Sequence, residues 1–79
     1  MKLQRAVGLT VRDLRLSRNL TLRQVSHRAN VSLGHLCDIE RGESNASNEI
    51  LEAIAKGLEL TTVALVGEIY EYLKEVNNE

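Results

Sequence analysis

Leu20-Thr21-Leu22-Arg23-Gln24-Val25-Ser26-His27-Arg28-Ala29-Asn30-Val31-Ser32-Leu33-Gly34-His35-Leu36-Cys37-Asp38-Ile39-Glu40-Arg41-Gly42 decides the fold. Thr21 is a good helix N-cap, and Gln24 three residues later completes a capping box. Leu20 and Val25 occupy the two positions of a hydrophobic staple around that cap. Val25 and Ala29 then face inward, and Asn30 ends the helix, being a residue that tolerates the left-handed conformation. Ser32 starts the next helix, with Val31 and Leu36 as its staple. Only Asn30 and Val31 separate Ala29 from Ser32. Helices joined so tightly cannot lie antiparallel along their length and must cross steeply, as in a helix-turn-helix. The third helix ends at Gly42.

The flanking sequence supplies three more helices. Val7, Val11 and Leu14 form an apolar stripe on a first helix expected from about Val7 to Arg18, closed at Asn19. Glu43-Ser44-Asn45-Ala46-Ser47 is polar and reads as a loop. Ser47 caps a fourth helix, with Glu49 in its first turn and Ile50, Leu51, Ile54, Ala55 and Leu58 as its buried face. A fifth helix starts near Thr61 or Thr62 and runs to about Val76. Strand alternation, repeats and proline stops are absent, so the expected fold class is all-α, five helices in one domain over 1–79.

Composition bounds the function. The chain has 79 residues, 43% hydrophobic and 27% charged, which suits a small globular domain and not a disordered tail or disulfide scaffold. No apolar run approaches the ~18 residues of a membrane span, so no membrane partner is expected. The start Met1-Lys2-Leu3-Gln4-Arg5 lacks a secretory signal, and the single cysteine forms no internal disulfide. A cytoplasmic location is the expectation. No cofactor is expected, and no nucleophile stands with a histidine base and carboxylate in an enzyme-like arrangement.

The net charge of −1 conceals an asymmetry. Residues 1–41 carry eight cations against three anions, and residues 42–79 carry two against eight. Seven of the eight N-terminal cations are arginine, whose planar fork suits phosphate. One basic face aimed at a polyanion and an acidic end held away from it fit this division, as does a mixed solvated surface. On the third helix, Leu36 and Ile39 point to the core. Gly34, Cys37, Asp38 and Arg41 point outward, flanked by Leu33: a lightly loaded face suited to a groove, or a surface helix with small side chains.

The ordered set of motifs carries a resemblance. It consists of Val7-Gly8-x-x-Val11-Arg12-x-Leu14-Arg15, Leu20-Thr21-x-x-Gln24-Val25-Ser26, Val31-Ser32-x-x-x-Leu36-Cys37-x-x-Glu40-Arg41-Gly42, and Ser47-x-x-x-Leu51-x-x-Ile54-Ala55-x-x-Leu58. This chain resembles the Cro/phage-repressor type of helix-turn-helix DNA-binding domain over about residues 7–66. Within that family, residues 22–26 and 31–36 are similar to the actinobacterial regulators of Clp protease genes. The resemblance implies a lambda-repressor-like fold and sequence-specific binding to duplex DNA as a transcriptional regulator. It implies that the third helix enters the major groove, with Leu33, Gly34 and Asp38 at base edges. Leu33 would touch a thymine methyl, Asp38 would accept from a cytosine amine, and Gly34 would permit close approach. Thr21, Leu22, Arg23, Ser32, His35 and Arg41 fall where phosphates are held, with Asn45 and Asn48 as further candidates. Arg15 and Glu40 match the family's structural ion pair. Asn19 and Asn30 stand where glycine is frequent, and Ala46 replaces a common proline, implying a looser loop.

Several assignments stay open. Cys37 is either a redox switch at the DNA face or a serine-sized filler. His27, His35 and Cys37 lack a fourth clustered ligand, which argues against a metal site. Val66, Ile69, Leu73 and Val76 recur at helix-seam spacing, flanked by Tyr70 and Tyr72, and suggest a homodimer. Val66 is expected inside the subunit. Ile69, Tyr72, Leu73 and Val76, joined by Leu65 or Tyr72 at the edge, are expected at the interface, for a near-palindromic operator. The rival function is an antitoxin-like interaction module, or another use of a regulatory protein partner, in which DNA binding is secondary.

Overall fold

The computed structural model describes residues 2–77, and the described residues form five helices. They are α1 (Leu3–Ser17), α2 (Leu22–Ala29), α3 (Leu33–Glu40), α4 (Asn48–Gly57) and α5 (Thr62–Asn77). Val11, Val25, Leu36, Ile39, Ile54, Leu58 and Leu65 are fully buried and make the centre of one core. α1 packs on α3 on one flank and on α5 on the other, while α2 packs on α4.

The caps fall where the side chains place them. The Thr21 hydroxyl accepts from the Gln24 amide at 3.1 Å, and the Thr21 amide donates to Gln24 Oε1 at 2.8 Å. Ser32 and Ser47 accept from the amides of His35 and Ile50. Thr61 starts α5 by accepting from the Ala64 amide. Asn19 and Asn30 both take positive φ, 57° and 55°, so each fills a helix end that would otherwise favour glycine. Glu59 also takes a positive φ of 61° after α4, without the side chain that usually signals it.

Two expectations change. α1 begins at Leu3, a turn before Val7, although Lys2 provides no side-chain cap. Tertiary bonds hold that first turn instead. Gln4 donates to the Gly42 carbonyl, and Arg5 donates to the Arg41 carbonyl. α5 also faces differently from the sequence expectation. Ile69 is buried in the chain's own core at 6% exposure, while Val66, expected inside, is 49% exposed. The first buried residue of α5 is Leu65, and the register that buries 65 and 69 turns 66 and 70 outward at about 100° per residue.

Candidate nucleic-acid interface

The turn between α2 and α3 is fixed from both sides. The Val31 amide donates to the Ser26 carbonyl, and the Ser26 hydroxyl donates back to the Val31 carbonyl. Val31 is buried, so the turn cannot swing without exposing apolar surface. α3 is held at its far end by an ion pair. Arg15 Nε and Nη2 donate to Glu40 Oε2 and Oε1 at 2.8 and 3.1 Å, a bidentate fork. Arg15 Nη1 also donates to the Leu20 carbonyl at 2.9 Å, so one guanidinium ties α1, the entry to α2 and the end of α3 together. The hydrogen bond to Glu40 raises the Arg15 pKa above the ordinary guanidinium range, against the opposing effect of burial.

Close backbone packing supports the same crossing. A Cβ placed on buried Gly8 would collide with the backbone carbonyl of Ile39. Glycine is therefore what lets α1 lie directly against α3.

The residues expected at DNA are carried by α2, α3 and the residues that cap these helices. Leu33 and His35 are half-buried, and Gly34 is exposed with open space where a Cβ would stand. The first-turn amides of α2 and α3, those of Leu22, Arg23, Leu33 and Gly34, have no acceptor within their helices. They make a local site of partial positive charge at the start of each of the two helices. The Thr21 amide is not one of them, because Gln24 takes it. The Thr21 and Ser32 hydroxyls each accept a capping bond and keep an O–H to donate. Arg23 is exposed, with no ion-pair partner among the described residues.

Asp38 and Arg41 are not free as expected. Arg41 Nη2 donates to Asp38 Oδ1, and Arg41 Nε donates to Glu43 Oε1 at 2.8 Å. The Glu43 bond, first among its causes, raises the Arg41 pKa above the ordinary guanidinium range. All three side chains are about half exposed or more, so these pairs are weak and exchangeable. Cys37 also departs from the expected outward face. It is half-buried and lines a groove of about 470 Å³ between α1 and α3, shared with Arg5, Arg12, the Arg15–Glu40 pair, and Arg41 with Glu43.

Arg5 and Arg12 line this groove as well and are not among the site residues expected from the sequence. Arg5, Leu9 and Arg12 recur at i, i+4 and i+7, which places both arginines on the α1 flank facing α3. That spacing is the signal that could have found them. Asn45 and Asn48 are exposed at the α3–α4 loop and the start of α4, and Ala46 packs partly buried against the core. Among the described residues, no group of three or more histidine, cysteine or acidic side chains could hold a metal ion. None of the described helices is long and apolar enough to cross a membrane.

Residues 11–65 match the helix-turn-helix family. The chain belongs to this family, in its Cro/phage-repressor type. The transcriptional regulator ClgR of Mycobacterium tuberculosis is 50% identical over 54 residues, covering 68% of this chain and 48% of that protein. The chain thus spans about half the length of the curated relatives it matches. The crystal structure of the clp gene regulator ClgR from Corynebacterium glutamicum superposes with a TM-score of 0.85 at 25% identity, covering 99% of this chain and 84% of that one. C.Esp1396I bound to a 19 base pair DNA duplex gives a TM-score of 0.85 at 25% identity, over 92% and 97% of the two chains. The lambda-repressor-like helix-turn-helix fold and the likeness to the Clp-gene regulators both stand.

Proposed function

We propose that this chain is a transcriptional regulator that binds duplex DNA, with α3 in the major groove and a near-palindromic site read by a homodimer. The observation that carries the reading is the helix-turn-helix, with first-turn amides lacking helical acceptors at the starts of α2 and α3 and with exposed Arg23 in the first turn of α2. Phosphate on these amides fixes register, and the Thr21 and Ser32 hydroxyls add donors. Leu33 and Gly34 then stand at base edges, with His35 beside the backbone. Asp38 reads a base, and Arg41 takes a phosphate, after the two release each other. The naming of relatives as transcriptional regulators supports the function, as does the DNA complex of a protein of the same fold. Membership of this family points to a regulator rather than an enzyme, acting where DNA is, in the cytoplasm.

The dimer half of the proposal moves its surface. Val63, Val66 and Tyr70 are 82%, 49% and 60% exposed and recur along one face of α5, beside half-buried Leu73. Contiguous exposed apolar side chains of this kind mark association surfaces. Ile69 supports that face from the core and Val76 is half-buried, whereas Tyr72, expected at the interface, lies away from that face in the groove between α1 and α5. Selection of binding sites from random duplexes tests the function, with this chain as the only protein. Enrichment of a two-fold symmetric site supports it. Retention of no sequence, or retention only after a second protein is added, favours the interaction module instead.

A further inference from the structure

α1 separates two grooves of opposite character. Its flank toward α3 carries Arg5 and Arg12, without ion-pair partners among the described residues, beside the Arg15–Glu40 and Arg41–Glu43 pairs. Its flank toward α5 opens on a groove of about 310 Å³ lined by Thr10, Asp13, Glu68, Glu71, Tyr72 and Glu75. None of the four carboxylates has an ion-pair partner among the described residues. Glu68, Glu71 and Glu75 recur at i, i+3 and i+7, so three like charges share one face of α5 over about 10 Å. Like charges at such spacing repel one another within the helix, and among the described residues none of the three is ion-paired.

Two further groups in the groove suit a cation. Thr10 is 4% exposed, and its hydroxyl oxygen is buried without a hydrogen-bond partner. An unsatisfied buried hydroxyl is costly and is relieved by a donor or acceptor that enters beside it. Tyr72 is half-buried and offers an aromatic ring, to which a guanidinium is drawn. The groove is at the small end of ligand-sized concavities (~300–1,000 Å³), so it seats side chains rather than a whole helix.

We propose that the α1–α5 groove docks a cationic, arginine-bearing segment of a second protein, with the carboxylates pairing its guanidinium groups. Arginine fits better than a compact metal ion, because its planar fork can meet a carboxylate, a hydroxyl and a ring together. The carboxylates are spread along the helix rather than gathered round a point, and no metal-holding cluster exists among the described residues. The apolar face of Val63, Val66 and Tyr70 lies on another side of α5, so the groove stays open in the proposed dimer. The inference does not depend on DNA binding and extends it: the regulator would hold DNA on one flank of α1 and a protein partner on the other.

The test uses the full chain and a fluorescein-labelled arginine–alanine repeat peptide, followed by anisotropy at low salt. Three exposed carboxylate–guanidinium pairs, each weak by itself, together give an expected weakening of about tenfold in the combined variant Glu68→Gln, Glu71→Gln, Glu75→Gln. The control Glu49→Gln, Glu52→Gln on α4 should bind the peptide like the parent, and Thr10→Val should weaken it. The triple variant should keep its affinity for DNA. Equal losses in the triple variant and the α4 control would overturn the proposal, since binding would then follow overall acidity. Displacement of the peptide by equimolar spermine or magnesium would overturn it in favour of a small cation. Self-association that disappears in the triple variant would overturn it in favour of a second copy.

Discussion

Replacing Glu40 with alanine should be among the most damaging single changes in the chain. Its carboxylate takes two bonds from Arg15, at 2.8 and 3.1 Å, and the side chains are only 6% and 11% exposed. Exposed pairs contribute ~0–1 kcal/mol, whereas removing one partner of a buried pair costs about 3–5 kcal/mol. Arg15 keeps its bond to the Leu20 carbonyl and some water, so the loss should fall near the lower end, about 3 kcal/mol. A domain of 79 residues has roughly 4–12 kcal/mol in total. At about 4–8 °C per kcal/mol, the melting temperature should drop on the order of 15 °C. Thermal melts followed by circular dichroism measure this directly. The double variant Arg15→Met, Glu40→Leu leaves no orphaned charge and should recover much of the loss. The pH dependence has a definite sign. The pair raises the Arg15 pKa, so its stabilisation is complete below the ordinary guanidinium range and lost only as pH rises through the higher folded value. The Glu40→Ala deficit should therefore be the same at about pH 7 and about pH 9, both far below guanidinium titration. A Glu40→Ala protein melting within a degree or two of the parent would refute the reasoning.

DNA affinity should fall with salt by roughly 0.9 log units per log unit for each phosphate neutralised, and Arg23→Ala should flatten that slope by about one phosphate. A slope near zero in filter binding would contradict the interface. Gly8→Ala should cost about 1–3 kcal/mol because the added carbon meets a backbone carbonyl, whereas Gly34→Ala, with open space, should fold at least as stably and weaken DNA binding. Paired melts and binding curves of the two variants check both halves. Val66→Glu with Tyr70→Glu should give a monomeric mass by light scattering with little change in helicity, since both side chains are exposed. An unchanged dimer would move the interface elsewhere.

The helix boundaries that a side chain sets through its own backbone were legible in the sequence. Thr21 with Gln24, Ser32, Ser47, Asn19 and Asn30 act within a few residues of themselves, and each stands where its chemistry required. The start of α1 was not legible, because its first turn is held by Gly42 and Arg41, nearly forty residues away. The αL residue Glu59 carried no signal either. Its conformation is imposed where α4 must turn into α5, and its carboxylate meets Arg28 across the chain.

The site shows the same division at the level of side chains. Position on α3 was legible, since 3.6 residues per turn fixes which residues share a face. Availability was not, because it depends on partners from another turn or another helix. Asp38 and Arg41 are three residues apart, and the spacing that set both outward also lets them pair. A single register assignment decided α5. Val66 and Ile69 are both apolar and three apart, so either fits a buried stripe by sequence. Leu65 and Ile69 lie four apart and bury together against α1 and α4, leaving Val66 and Tyr70 outward. The same register sends Glu68, Glu71 and Glu75 toward α1. One rotation of one helix therefore determines both the apolar face and the acidic groove.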